Sequence, residues 1–175
     1  MRPHNTFRRT SEAGLILVET LVATGVLLVV AMGVMSLAAV AVSTTENQGH
    51  LVARTTEYAQ DKMEQLMALA YGDVTSNTAL FPTGNSGGTG LAVGGSSNPN
   101  APVAGYVDYL DPNGNLLAGS GAPRGWFYKR AWQISTPAGT TNIKQITVTT
   151  IVAVSVGARG QLPQSTVICL KTLPF

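Results

Sequence analysis

The sequence has little of what most small domains use to cross-link themselves or to do chemistry. Its single cysteine, Cys169, excludes an intrachain disulfide. It stands inside the apolar run Thr166–Leu170, where it reads as a small core residue; pairing between chains is the alternative. Only two histidines occur, His4 and His50, so a histidine-based triad or zinc cluster is excluded from everything that follows. The carboxylates in the C-terminal part, Asp73, Asp108 and Asp111, lie beside turn signals and make no case for acid–base catalysis. No enzyme activity, cofactor or metal is expected. Proline is missing between Pro3 and Pro82, which leaves a long stretch free to be helical.

Charge is sparse and uneven. Charged residues make up 11% of the chain, with a net charge of +2. Arg2, Arg8, Arg9 and Glu12 account for that whole excess, and the eight basic and eight acidic residues that remain cancel. The basic balance therefore says nothing about nucleic acid. It places the first residues in the cytoplasm by the positive-inside rule.

A run of 28 residues, Leu15–Val42, follows Gly14 and carries one charge, Glu19. About 20 apolar residues suffice to cross a bilayer. A carboxylate inside such a span costs about 2.5–3.5 kcal/mol on insertion scales, so Glu19 is a candidate functional residue. Two plainer readings compete. Glu19 lies about 6 Å of helix rise inside the apolar segment and could be an ordinary flanking charge. The N-terminus could be a signal peptide cut after Ala41, although the run far exceeds the ~7–15 residues of a normal hydrophobic region. Small residues such as Ala23, Gly25, Ala31 and Gly33 let apolar helices approach closely.

From Ser43 the pattern turns amphipathic. Leu51, Thr55, Tyr58, Lys62, Leu66 and Leu69 recur at helical spacing, as do Ala59, Met63 and Ala70. One helix from Leu15 to about Ala70 is predicted, closed by Tyr71–Gly72. Residues 72–105 are rich in Gly, Ser, Asn and Thr and read as a long loop with few internal contacts. Leu80, Phe81, Leu91 and Val93 are its candidate anchors. Strands follow over Tyr106–Leu110, Asn115–Leu117, Gly125–Thr136, Ile143–Ser155 and Thr166–Thr172. Asp111–Gly114, Pro137–Gly139 and Gly157–Gly160 supply turns between them. Asp111–Asn115 echoes the start of a calcium loop, but Ala122 stands where the bidentate glutamate would be, so a plain turn is expected. Alternation puts Trp126, Tyr128, Arg130, Trp132 and Ile134 on one face. Aromatics there, with Lys129, Arg130 and Lys144, could form a stacking platform for nucleic acid, but no basic stripe accompanies them and none is expected. The fold class is α+β: a long N-terminal helix whose second half packs on a small antiparallel sheet.

These residues carry a resemblance. A basic leader ending in Gly14, then Leu15-Ile-Leu-Val-Glu19 and a long apolar helix, resembles the processing site of type IV prepilins and of type II secretion pseudopilins. Asp61–Leu66, Tyr128–Trp132 and Ile143–Thr149 are similar to minor pilins of the PilV type and the related minor pseudopilin. Leu15 stands where phenylalanine is commoner. The resemblance implies a leader, 1–14, cut by a prepilin peptidase between Gly14 and Leu15, with Leu15 then N-methylated by the same enzyme. It implies a membrane or filament-core half, 15–42, a soluble half, 43–71, the loop 72–105 and a sheet, 106–175. Glu19 would serve subunit assembly. Expected partners are the peptidase/methyltransferase, other major and minor pilins, inner-membrane lipid before assembly and a tip adhesin. The expected place is the inner membrane, single-pass with the C-terminal part in the periplasm, and then a pilus or pseudopilus. The competing class is a membrane-anchored binding module, an adhesin or DNA-uptake accessory, that does not polymerise.

Overall fold

The computed structural model describes residues 10–80, 86–119, 121–153 and 162–174, with side chains from Ile16 onward. Phe81, Val154, Ser155 and the expected Gly157–Gly160 turn lie outside them. The chain divides into two compact units, Met1–Thr45 and Glu46–Phe175. One helix, α1 (Thr10–Ala68), supplies residues to both. It starts ahead of the expected Leu15 and ends close to the expected Ala70.

The described residues of the first unit are helical, and from Ile16 onward their apolar side chains are exposed all round. Ile16, Leu17, Val18, Leu21, Val22, Val26 and their successors to Val42 are each more than half exposed. The described part of α1 is long and apolar enough to cross a membrane.

In the second unit the rest of α1 packs on a six-stranded antiparallel sheet. Its strands are β1 (Gly94–Gly95), β2 (Val107–Leu110), β3 (Leu116–Leu117), β4 (Tyr128–Ser135), β5 (Ile143–Val152) and β6 (Gln164–Thr172). The order is β3-β2-β4-β5-β6, and β1 joins β4 along the edge that β2 also uses. This is the expected α+β class. Buried positions on the helix are Thr55, Ala59, Lys62, Met63 and Leu66, the stripe that the spacing predicts.

Trp132, Ile134, Ile146 and Val148 meet that stripe in one core cluster, with Cys169 half-buried against it. A smaller cluster joins Leu110, Tyr128 and Val152 to Leu51 and Tyr58. Burying such side chains contributes about 1.5–3 kcal/mol each relative to exposure. The β2–β3 turn forms as expected: Asp111 Oδ1 accepts from the Asn113 and Asn115 amides, each at 2.8 Å, and Gly114 takes φ 87°.

Two expectations need correction. Trp126 does not share the helix-facing side of β4. It stacks edge-on against Tyr109 at 5.7 Å, whose neighbours Asp108 and Leu110 are the ones turned to the helix. The strand begins only at Tyr128, and Gly125 at φ 80° breaks the alternation before it. The 72–105 segment also makes more contacts than its composition suggests. Leu91 is wholly buried in the main core, Thr78 is buried and Gly94–Gly95 pair with β4. Val93, in contrast, is 61% exposed and anchors nothing. A segment poor in apolar residues is held here by backbone bonds and one leucine.

Candidate functional site

Gly14 and Leu15 lie within the helical run of α1. Glu19 stands one turn further on, exposed. Between Leu15 and Val42 the only other polar side chains are Thr20, Thr24 and Ser36. Each of those hydroxyls donates back to a carbonyl of its own helix: Thr20 to Leu17 O at 3.0 Å, Thr24 to Thr20 O at 2.7 Å and Ser36 to Met32 O at 2.9 Å. They carry their hydrogen bonds with them into an apolar medium. Glu19 does not. Among the described residues no cation lies within ion-pair distance of it. It is therefore the one polar side chain of this run without a hydrogen-bond or ion-pair partner among the described residues. Further along the same run, Gly25 and Gly33 leave open space where a Cβ would stand, so an approaching helix meets bare backbone there.

The second unit holds a charged cluster that sequence reasoning passed over. Lys62 on α1 and Arg130 on β4 converge on Asp108 of β2. Lys62 Nζ is 2.7 Å from Asp108 Oδ2, and Arg130 holds the same carboxylate with two prongs, Nε to Oδ1 at 2.7 Å and Nη2 to Oδ2 at 2.9 Å. Arg130 Nη1 reaches back to Asp61 Oδ2 at 2.7 Å. Lys62 also donates to Thr78 O and lies 4.3 Å over the Trp132 ring. The ring's own Nε1 is buried with no hydrogen-bond partner among the described residues.

Burial pushes the Lys62 ammonium below its usual range, and Arg130 adds to that, against the pull of Asp108. For Arg130 burial also opposes the charge, but the Asp108 and Asp61 carboxylates together outweigh it and the guanidinium is held more firmly protonated. Two cations share one buried carboxylate, and half-exposed Asp61 supplies the balance. Such a cluster favours one docking of helix on sheet more than it adds raw stability.

Spacing had placed Lys62 on the buried stripe and Arg130 on the inward face, but neither signal says what a buried cation pairs with. Asp108, set aside as a turn neighbour, is the hub. Two further lysines hold the end of the helix and the turn just after it. Lys171 Nζ donates to Met67 O at 2.6 Å and Lys144 Nζ to Tyr71 O at 2.7 Å. Cations at a helix C-terminus offset its partial negative charge, and α1 has no basic residue of its own in the last turn. Of the residues weighed as a nucleic-acid platform, Tyr128, Trp132 and Arg130 are buried. Lys144 is bonded to backbone carbonyls, and Lys129 lies 5.3 Å over Trp126.

No protein-family model matches the chain, and neither a characterised protein nor a solved structure does.

Proposed function

We propose that this chain is a minor pilin or pseudopilin. It is cut after Gly14, methylated on Leu15 and built into a filament through its apolar helix. The carrying observation is Glu19: in a run whose hydroxyls all bond their own helix, it is the single polar group left without a partner among the described residues. Cleavage at Gly14 creates a free amino group four residues before it. In a bundle of such helices the carboxylate of one subunit pairs with the amino terminus of its neighbour. That pair offsets a desolvation cost neither charge could bear alone, and it fixes axial register, the best-attested use of buried polar pairs. The exposed apolar surface serves first in the inner membrane and then in the filament core. There, small residues permit close approach.

Because Gly14 is helical, cleavage requires the helix to open at that point, which glycine there makes easier. The peptidase and the other pilins are the partners this reading requires, and the C-terminal unit lies outside the cytoplasm. The test is the mass of the protein from cells that carry a prepilin peptidase. The expected species lacks Met1–Gly14 and carries one added methyl. A full-length chain, or one cut near Ala41, would end this reading.

A further inference from the structure

β6 is a sheet edge without the devices that usually close one. Bonds at its two ends set which backbone groups face β5. The Leu173 amide donates to Asn142 O at 2.9 Å, and the Val152 amide donates to Pro163 O at 3.3 Å. Backbone groups alternate sides along a strand. Ser165, Val167, Cys169 and Lys171 therefore bond β5, while the N–H and C=O groups of Gln164, Thr166, Ile168, Leu170 and Thr172 point outward. Among the described residues no strand pairs with that side. The same five residues are exposed, Ile168 at 61% and Leu170 at 55%.

Free edges are normally protected by lysine, proline, a bulge or short length. None of the five is charged or proline, the register with β5 runs unbroken, and the strand is nine residues long. Its only cation, Lys171, is turned to the other face and spent on Met67 O. The opposite side of the sheet offers no comparable edge, since β3 and β1 are two residues each.

We propose that this edge docks β6 of a second copy of the chain, the two strands running antiparallel about a two-fold axis at Ile168. In that register Ile168 meets its own copy, Thr166 meets Leu170 and Gln164 meets Thr172. No charge opposes a like charge. The five outward donors and acceptors on each strand give about ten hydrogen bonds, the number a stable protein interface usually carries. Among the described strands β6 alone is both long enough and free to play either part. This pairing does not depend on the assembly role of Glu19.

The test uses the full chain in detergent micelles with Cys169→Ser as background. Paired residues across such a ladder have Cα atoms about 5.5 Å apart, within disulfide range. Ile168→Cys should therefore form a disulfide-linked dimer under mild oxidation. Thr166→Cys alone should not, since its two copies stand about 13 Å apart at ~3.3 Å per residue. A mixture of Thr166→Cys and Leu170→Cys chains should cross-link. Ile168→Lys should make the chain monomeric with its fold intact, because the side chain it replaces is exposed, and its melting temperature should no longer rise with protein concentration as that of the dimer does. Light scattering of the unmodified chain should give a dimer at micromolar concentration. A monomer there, Ile168→Cys that stays uncrosslinked, or Thr166→Cys that cross-links to itself as readily would each overturn the proposal. So would an edge that binds an extended strand from another protein while the chain alone stays monomeric.

Discussion

Lys62 and Asp108 meet at 2.7 Å with 1% and 2% of their side chains exposed, one on the helix and the other on the sheet. Their contact ties α1 to β2 at a point where Arg130 also binds the carboxylate. Removing different members of this cluster should have unequal effects. Asp108→Asn leaves two buried cations sharing little more than half-exposed Asp61, and should cost about 3–5 kcal/mol. Lys62→Met leaves Asp108 still held by Arg130 and fills the same volume, so it should cost distinctly less. Urea unfolding of the C-terminal unit in the full chain checks the ranking.

The same cluster gives a pH dependence. The native pKa of Lys62 lies below its ordinary 10.5 because of burial. Between those two values the unfolded chain binds more protons, so the Lys62 contribution to stability rises with pH. In Asp108→Asn the attraction that opposed the shift is gone, and the rise should begin at lower pH. Melting temperatures of the variant at pH 7 and pH 9 should converge toward those of the unmodified chain; divergence would count against the charged-lysine account.

Glu19→Val should be processed normally yet fail to enter filaments. The substitution removes a charge from an apolar run but leaves Gly14 and Leu15 untouched. Comparing the amounts of cleaved and filament-bound protein separates the two steps. Equal recovery with filaments would remove the pairing role. Gly14→Val should show the opposite pattern, with the uncut precursor held in the membrane.

Gly95 stands at φ 80° beside β4, and an added Cβ there would collide with Trp132 O and lie 2.7 Å from the Tyr106 ring. Gly95→Ala should therefore lower stability clearly, whereas Gly121→Ala, with open space around it, should be close to neutral. Leu91→Ala opens a cavity in the main core and should cost about 2–5 kcal/mol. Trp132→Ala should cost about 3–5 kcal/mol. Thermal melts of the four variants check all of this, and a benign Gly95→Ala would mean that β1 contributes little.

Local pattern alone was enough for the outline of this protein. An apolar run longer than a bilayer needs, a helical stripe from Leu51 to Leu69 and period-two alternation in β4 and β5 are each read within one element. The outcome follows because helix and strand periods are properties of the backbone. The same pattern isolates Glu19, since a lone charge among apolar residues is visible without any fold. What it left undecided depends on residues distant in the chain. Asp108 becomes the hub of a buried cluster only once β2 pairs with β4 and α1 lies across both. Lys171 caps the helix and Lys144 holds the turn after it only because β6 ends and β5 begins beside Met67 and Tyr71. Leu91 is legible as an anchor of its segment, but its complete burial in the main core is decided by the fold, and Trp126 changes face because one glycine turns the chain just before β4. Partner choice among buried charges, and the side on which a residue outside regular structure lands, are set by the three-dimensional register of helix on sheet, which no local period encodes.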